Sequence, residues 1–271
     1  MHKTINDFSL KREWGPELSP DKFGRLATYK PPKRDFITIA GPCSIENIEL
    51  AKEIIPSLVK SNVTYMRGGV YSAGTFRPIS YGFRPVTLIT WSKFAKAAGL
   101  KIVVEVLNIE DLDFITQYAD AIQIGARHMQ DYALLDAVSK YDKPVFLKRH
   151  PGATMFEFLG AAGYLLEGRC QPILIERGTS THMNHVRWDL SISIIPAIKQ
   201  ITRMPIIVDA SHGTGRRDLV RPMTLAGVAA GADGCLVECH PRPEKSKTDT
   251  DQAYPLKDLH GLLQDARKIR R

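Results

Sequence analysis

Basic side chains stand singly at the ends of three apolar runs in this 271-residue chain. They are Arg127 in "GARHMQ", Lys148 in "FLKRH" and Arg177 in "IERG". Arginine and lysine in such positions suit phosphate and carboxylate groups, which they bind through charge-assisted hydrogen bonds. A surface salt bridge would explain any one of them alone. If all three meet in one site, they repel one another until an anion with more than one charge binds, and the pattern therefore predicts such a ligand.

A second set of residues has the ligand atoms of a metal site: Cys43, His212, Glu238 and Asp249. Taken singly, a cysteine is more often a small buried apolar residue, and a loop histidine is more often only hydrogen-bonded. Together, a thiolate, an imidazole and two carboxylates suit one divalent transition metal ion such as Mn²⁺, Fe²⁺, Co²⁺ or Zn²⁺. The prediction depends on a fold that brings these distant residues together.

Short apolar runs recur along the chain with room for a helix between successive runs. Continuous rather than alternating hydrophobicity predicts strands covered on both faces, as in a parallel sheet. The eight runs are "FITIAG", "VTYMRGG", "KIVVEV", "AIQIG", "PVFLKR", "PILIER", "PIIVDA" and "GCLVEC". Eight β-α units in this length predict an α/β fold, a single (β/α)8 TIM barrel over residues 35–271, after a short N-terminal extension at 1–34.

Two helices have readable ends in the sequence. The segment "ENIELAKEIIPSLVKS" follows Ser44, which we expect to be its N-cap, and "PVTLITWSKFAKAAG" is expected to start at Pro85 and stop at Gly99.

In a barrel of this type the active site lies where the strands end, so the strand ends test the idea. Each of the eight carries a titratable or metal-binding group; in order they are Cys43, Arg67, Glu105, Arg127, Lys148, Arg177, Asp209 with His212, and Glu238 with His240. Strands 4, 5 and 6 are neighbours and carry the three cations. Strands 1, 7 and 8 become neighbours when the barrel closes and carry the metal set. This concentration of chemistry predicts an enzyme.

Alternation along strand 8 separates its acidic residue from its cysteines. If Glu238 faces the barrel interior, Cys235 and Cys239 face the helix layer, because successive side chains of a strand point to opposite sides. We therefore interpret both cysteines as packing residues rather than as part of a zinc motif.

The turn "SHGTGRRD" at residues 211–218 joins strand 7 to the next helix. Glycines that lead into a helix N-terminus present backbone N–H groups, and loops after strands 7 and 8 often bind phosphate in barrels. Arg216 is therefore a candidate phosphate-binding residue. The alternative is a flexible loop in which Arg216 and Arg217 are solvated.

Composition excludes several classes of protein. The net charge of +8 comes from scattered basic residues, which argues against nucleic-acid binding, and no apolar run is long enough to span a membrane. Four cysteines are too few and too unevenly spaced for a disulfide framework. These features, with an N-terminus that lacks a signal-peptide core, predict a cytoplasmic protein.

From about Ile37 to Leu256 the motifs resemble a known family. In order they are "IAGPCSIE", "MRGG", "QIGARHMQ", "LKRH", "IERG", "VDASHGTGRRDL" and "GADGCLVECHPRPEKSKTD". They are similar to those of type I-beta 3-deoxy-D-arabino-heptulosonate 7-phosphate (DAHP) synthases, whose superfamily includes 3-deoxy-D-manno-octulosonate 8-phosphate synthases. The resemblance implies a metal-dependent aldol-type condensation of phosphoenolpyruvate with a phosphorylated aldose, erythrose 4-phosphate, which is the first step of the shikimate pathway.

The resemblance also implies roles for individual residues. Cys43, His212, Glu238 and Asp249 would hold the metal, with Asp251 as a nearby rival to Asp249. Arg67, Arg127, Lys148 and Arg177 would bind phosphoenolpyruvate, and Lys148, Cys43 and His212 would be the catalytic residues, Lys148 as a proton donor. A homo-oligomer, a dimer or a tetramer, is expected from the family, whereas no regulatory domain is expected from this chain.

One motif departs from the family. The Lys-Pro-Arg that receives the aldose falls on Ser72, Ala73 and Gly74, and only Thr75 matches the residue that follows it. Two charge-assisted hydrogen bonds, each worth roughly 1.5–3 kcal/mol, are thereby lost. Acceptor binding would then use Thr75, Arg77 and Arg216, or Arg84. The alternatives are the same chemistry on a different aldehyde, in specialised metabolism, or a non-catalytic homologue that only binds ligands.

Overall fold

Eight parallel strands form a closed ring in the computed structural model, which describes residues 24–33, 35–71 and 84–270. The strands are β1 Ile37–Gly41, β2 Tyr65–Arg67, β3 Lys101–Val106, β4 Ala121–Ile124, β5 Pro144–Lys148, β6 Gln171–Glu176, β7 Ile206–Asp209 and β8 Gly234–His240. Each strand pairs with the next, and β8 returns to β1 over five residue pairs from Ile37 with Gly234 to Gly41 with Glu238. The predicted (β/α)8 barrel is therefore confirmed.

Helices connect the strands and surround the ring. They are α1 Gly24–Thr28, α2 Ile48–Lys60, α3 Pro85–Ala97, α4 Leu112–Tyr118, α5 Tyr132–Ser139, α6 Met155–Leu166, α7 Ile194–Ile201, α8 Ala210–Thr214, α9 Arg217–Ala229 and α10 Leu259–Arg270. A two-residue strand, β9 Tyr254–Pro255, pairs with β8 beyond the ring at Cys239 and His240. None of the described helices combines the length and the apolarity needed to cross a bilayer.

The core has two separate layers, which explains why the strands are apolar on both faces. Side chains such as Ile39, Phe146 and Leu236 fill the inside of the barrel. Alternate residues of the same strands, such as Val237, pack outward against the helices. Because a parallel barrel buries both faces of every strand, period-two alternation is absent from its sequence.

The second helix begins later than its sequence suggested. Asn47, not Ser44, is the N-cap of α2: its side-chain oxygen accepts a hydrogen bond of 2.8 Å from the backbone N–H of Leu50. Asparagine is as good an N-cap as serine, and Ser44 is held elsewhere, in a bridge to Gly69. The expected start of α3 at Pro85 is confirmed; the helix ends at Ala97 with Ala98 as its C-cap, and the expected stop, Gly99, follows the cap with a positive φ of 80°.

The predicted division at residue 34 stays a prediction. Residues 1–23 and 34 lie outside the described residues. Of the rest of the predicted extension, α1 packs against the barrel domain: Leu26 is buried, and its carbonyl oxygen accepts a hydrogen bond of 2.6 Å from the Thr202 hydroxyl.

Candidate active site

The carboxyl ends of the strands bring the predicted chemistry to one mouth of the barrel. Arg67, Lys148 and Asp209 are the last residues of β2, β5 and β7, and all three are buried. Glu238 lies near the end of β8, and Cys43 follows β1 by two residues. Since parallel strands end at the same rim, Cys43 and Asp249, which are 206 positions apart in sequence, lie beside one another.

Three of the four predicted metal ligands form a compact cluster. The ligand atoms of Cys43, Glu238 and Asp249 all lie within 4.8 Å of one another. The Sγ of Cys43 is 3.1 Å from Oδ2 of Asp249, and Oε1 of Glu238 is buried without a hydrogen-bond partner among the described residues. A buried glutamate that has one carboxylate oxygen without a donor among the described residues, grouped with a thiol and a second carboxylate, fits a divalent metal ion. Asp251 is exposed, which favours Asp249 as the ligand.

Burial, reinforced by the nearby carboxylate of Glu238, raises the pKa of the Cys43 thiol well above its ordinary value, although Arg67 opposes the shift. The thiol therefore keeps its proton in this arrangement and donates it to Asp249. A thiol must lose its proton to bind a metal, so metal binding here would release a proton.

His212 is not one of the three residues whose ligand atoms all lie within 4.8 Å of one another, but it contacts one of them, Glu238. Its Nε2 lies 3.1 Å from Oε2 of Glu238, while its Nδ1 lies 3.0 Å from Oδ1 of Asp209. Asp209 is also the N-cap of α8 and accepts a hydrogen bond from the backbone N–H of His212. A carboxylate on one ring nitrogen fixes the orientation of the imidazole and leaves the other nitrogen to face a metal.

Only one of the two carboxylate oxygens of Glu238 accepts hydrogen bonds from the described residues. Its Oε2 accepts hydrogen bonds from Arg67 at 2.9 Å and from Gln252 at 3.1 Å, in addition to the contact with His212. Burial by itself would raise the pKa of this carboxyl, but His212 and Arg67 outweigh it and lower the pKa. Glu238 is therefore ionised, and its Oε1 has no hydrogen-bond donor among the described residues.

The loop that carries Asp249 is clamped by Arg217, a residue that sequence reasoning had treated only as part of a possible phosphate turn. The guanidinium donates to the carbonyl oxygens of Ala253 at 2.9 Å and Thr250 at 2.8 Å, and its backbone N–H donates to Asp251. Asp249 itself has a positive φ of 51°. The clamp therefore holds a short loop in a conformation that few residues adopt.

Arg216 points away from this clamp. It is exposed, its guanidinium is bound to both carboxylate oxygens of Asp218, and its Nη1 donates to the backbone oxygen of His185 at 3.1 Å. Its predicted role in acceptor binding stays a prediction.

Two of the predicted substrate cations have carboxylate partners inside the protein. Lys148 Nζ lies 3.0 Å from Oδ2 of Asp209, and Arg67 is paired with Glu238. Burial opposes ionisation of Asp209, but His212 and Lys148 outweigh it and lower its pKa far below the usual range. Of the three cations predicted to need an external anion, Lys148 already has an internal counter-ion, Asp209, which its position in the sequence did not reveal.

Arg177 differs from those two cations. It is buried, and its Nη1 has no hydrogen-bond partner among the described residues. Burial lowers its pKa; the carboxylates of Asp209 and Glu176 oppose this, while Arg187 and Arg127 lower it further. Arg127 itself is exposed, in a short 3₁₀ turn just after β4. The structure thus places a buried arginine near two other cations at this side of the mouth.

Glu176 is not available as a partner for Arg177. Its carboxylate binds Arg149 at 3.1 Å and accepts hydrogen bonds from the backbone N–H groups of Gly178 and Ser191. Arg149 also donates to the carbonyl oxygen of Ala153. This buried pair braces the loops after β5 and β6, whereas the side chain of Lys148, one residue earlier, pairs with Asp209.

The acceptor loop is described only at its two ends. Thr75 and Arg77 lie outside the described residues, as do positions 72–74. Arg84 closes the loop: its Nη2 donates to the Ser44 hydroxyl at 2.9 Å and to the carbonyl oxygen of Gly69 at 3.2 Å. It therefore ties the turn that follows Arg67 to the segment that follows Cys43.

The cysteines of β8 are packing residues, as predicted. Cys235 and Cys239 belong to the layer between strands and helices, whereas Leu236 lies inside the barrel. Burial raises the pKa of both thiols to about 12. Both thiols therefore keep their protons at neutral pH and are not part of the metal cluster.

Comparisons with known proteins agree with this geometry. Residues 32–269 match the family described as the DAHP synthetase I family. The phospho-2-dehydro-3-deoxyheptonate aldolase of Thermotoga maritima is 39% identical over 262 residues, covering 96% of this chain and 76% of that protein. The 2-dehydro-3-deoxyphosphooctonate aldolase of Desulfotalea psychrophila is 25% identical over 254 residues, covering 87% of this chain and 90% of that protein.

Solved structures give the same result. The crystal structure of the Thermotoga maritima DAHP synthase superposes with a TM-score of 0.81 at 38% identity, covering 90% of this chain and 71% of the other. A truncated form of 3-deoxy-D-arabino-heptulosonate 7-phosphate synthase from the same organism gives a TM-score of 0.79 and is covered over 89% of its length.

Proposed function

Because the chain belongs to the DAHP synthetase I family, we propose that it condenses phosphoenolpyruvate with erythrose 4-phosphate. The products are 3-deoxy-D-arabino-heptulosonate 7-phosphate and inorganic phosphate. Carbon 3 of phosphoenolpyruvate adds to the aldehyde carbon, water adds to carbon 2, and the phosphate leaves by C–O cleavage. This reaction would be the first step of the shikimate pathway.

The observation that carries the proposal is the presence of two different sites in one barrel mouth. The Cys43, Glu238 and Asp249 cluster lies within 4.8 Å, and β7 joins it to Lys148 through Asp209 and His212. An aldol-type condensation needs such an arrangement, because one group must polarise the aldehyde while cations hold the anionic nucleophile nearby.

We assign phosphoenolpyruvate to Arg67, Arg127, Lys148 and Arg177. Arg177 supplies a buried donor, Nη1, that has no partner in the part of the chain that the structure describes, and Arg67 and Lys148 supply charges whose positions are fixed by Glu238 and Asp209. Lys148 is the proposed proton donor to the aldehyde oxygen, since its ammonium is buried at the end of β5 and its proton can be replaced through Asp209 and His212.

One divalent metal ion (Mn²⁺, Fe²⁺, Co²⁺ or Zn²⁺) is the proposed cofactor, held by Cys43, His212, Glu238 and Asp249. When bound, it supplies a Lewis acid for the aldehyde oxygen or for water. The mixed sulfur, nitrogen and oxygen donors support such an ion without selecting one of the four.

A second candidate is the same chemistry on another aldehyde. The observation that favours it is the sequence at positions 72–74, where Ser72, Ala73 and Gly74 replace the cations that bind the aldose in the family. In this case Thr75, Arg77 and Arg216 would define a site for a different acceptor.

One assay separates these candidates. The protein is stripped with a chelator, reloaded with each metal in turn and supplied with phosphoenolpyruvate and a panel of aldehydes that includes erythrose 4-phosphate. Phosphate release and the product mass are measured together. Turnover with erythrose 4-phosphate supports the first proposal, and turnover only with another aldehyde supports the second. Binding of phosphoenolpyruvate without turnover of any acceptor would contradict both and indicate a ligand-binding homologue.

A homo-oligomer, either a dimer or a tetramer, and a cytoplasmic location complete the proposal. Family membership supports the first, and the absence of a membrane-spanning run in the sequence is consistent with the second. Sedimentation velocity and cell fractionation test them.

A further inference from the structure

Trp188 packs its ring against Arg177, a proposed substrate cation whose Nη1 has no hydrogen-bond partner among the described residues. It lies in the segment between β6 and α7, and the centre of its ring is 5.5 Å from the guanidinium carbon of Arg177. We propose that Trp188 is a positioning residue for Arg177, holding the guanidinium by a cation–π contact so that Nη1 faces the anion of phosphoenolpyruvate. The inference rests on the proposed function and adds a residue to it.

The backbone fixes Trp188 in this place. Its N–H donates to the carbonyl oxygen of Gly213 at 3.1 Å, and the next residue, Asp189, exchanges two backbone hydrogen bonds with Thr179, at 2.8 Å and 3.0 Å. Gly178 has a φ of 95°, and a Cβ there would lie 2.7 Å from Cβ of Trp188. The tryptophan is therefore packed against a position that only glycine fits, directly after Arg177.

The two carboxylates that could hold Arg177 in place of an aromatic ring already have other partners. Glu176 is bound to Arg149 and to two backbone N–H groups, and Asp209 is bound to Lys148 and His212. A carboxylate bound to Arg177 would also compete with the substrate for the same N–H donors. An aromatic face attracts the cation without accepting those hydrogen bonds, so Nη1 stays available, which agrees with its lack of a partner within residues 24–33, 35–71 and 84–270.

The test compares two substitutions of Trp188, one that keeps an aromatic ring and one that does not. Trp188→Phe keeps an aromatic face, and Trp188→Leu removes it. We expect the Kd and KM for phosphoenolpyruvate to rise about fivefold to thirtyfold in Trp188→Leu and by no more than about threefold in Trp188→Phe. The KM for the acceptor is expected to change little in either variant, because the contact acts on Arg177.

The design separates this role from two others. The Nε1 of Trp188 is buried without a partner among the described residues and could itself donate a hydrogen bond to the substrate. In that case Trp188→Phe would bind phosphoenolpyruvate as weakly as Trp188→Leu, and this result would overturn the inference. A purely structural role would lower Tm in Trp188→Leu while leaving the Kd for phosphoenolpyruvate unchanged, which would also overturn it. Met183→Leu, at an exposed position of the same segment, is the matched control.

Calorimetry on the wild-type protein distinguishes failure of this inference from failure of the proposed function. If wild-type protein does not bind phosphoenolpyruvate, the proposed function is wrong and the inference fails with it. If wild-type protein binds it and Trp188→Leu binds it equally well, only the inference is wrong. Quenching of tryptophan fluorescence by phosphoenolpyruvate that is present in wild-type protein and lost in Trp188→Phe would give independent support.

Discussion

The two sides of the barrel mouth differ in whether their buried charged side chains have ion-pair partners among the described residues. On the side of β1, β7 and β8, Glu238 is paired with Arg67 and His212, and Asp209 is paired with Lys148. On the side of β4 and β6, Arg177 is buried near other cations with one N–H group unbound by the described protein.

The difference indicates which side depends on a ligand. Paired charges remain stable without substrate, because each offsets the desolvation of the other, whereas a buried unpaired charge destabilises the free protein. The first side is therefore preorganised without substrate, and the second would be completed by the anion that we propose it binds. Substitutions on the two sides should consequently have opposite effects on the stability of the ligand-free protein.

The largest effect is expected for Glu238→Gln. The substitution removes a proposed metal ligand and leaves Arg67 buried without its counter-charge, which costs about 3–5 kcal/mol of unfolding free energy. Turnover should fall roughly a thousandfold or more, since metal assistance contributes several kcal/mol. Phosphate release and urea unfolding measure the two effects. Glu167→Gln, which breaks the exposed pair with Arg25, is the control, and equal losses in both variants would contradict the comparison.

Arg177→Met should have the opposite effect on the ligand-free protein. Removing a buried charge that has no ion-pair partner among the described residues, while keeping most of the volume, is expected to leave the unfolding free energy unchanged or to raise it. At 100 times its Kd, phosphoenolpyruvate should stabilise the wild-type protein by about 2.7 kcal/mol and the variant by much less. Thermal unfolding with and without ligand checks this. A large loss of stability in ligand-free Arg177→Met would show that the two sides do not differ.

A smaller effect should appear in the pH dependence of stability. Because the pKa of Asp209 is lowered in the folded protein, its contribution is complete above the unfolded pKa of about 3.9 and is lost as the pH falls below it. In Asp209→Asn the decline between pH 5 and pH 3 should be shallower by up to about 1.4 kcal/mol per pH unit, the value for one proton. Urea unfolding in the presence of a chelator measures it, and parallel curves would refute the pairing.

The smallest effect is expected on the outward face of β8. Cys239→Ala should cost about 1 kcal/mol of stability and leave turnover unchanged, because the side chain packs against the helices. With its pKa raised to about 12, the thiol should not react with iodoacetamide at pH 8 until the protein unfolds. Mass spectrometry of labelled peptides checks this, and rapid labelling of Cys239 in the folded protein would place it in the mouth instead.

The fold was largely predictable because a parallel barrel has a strong local signature. Eight continuous apolar runs predicted eight strands, and alternation along β8 separated Glu238 from Cys239. The position of Cys43 after β1 and of Glu238 in β8 predicted their proximity, because strand order alone decides which ends are neighbours.

Contacts that depend on side-chain direction could not be predicted in the same way. The clamp of Arg217 on carbonyl oxygens, the pairing of Lys148 with Asp209 and the stacking of Trp188 on Arg177 leave no periodic pattern in the sequence. The sequence did contain a weak signal for Asp209. It precedes His212 by three residues, which is the spacing between an N-cap side chain and the backbone N–H group from which it accepts a hydrogen bond. The choice of Asn47 over Ser44 as a cap was likewise a matter of local geometry.

Closure of the barrel between β1 and β8 has a consequence for the order of folding. Cys43 follows the first strand of the ring, and Glu238 and Asp249 lie in and after the eighth, so the proposed metal site spans the seam where the ring closes. Its ligands have the long sequence separations that make contacts slow to form. Only a chain that has completed all eight β-α units can assemble the site, and partly folded species are therefore expected to lack high metal affinity until the final strand docks.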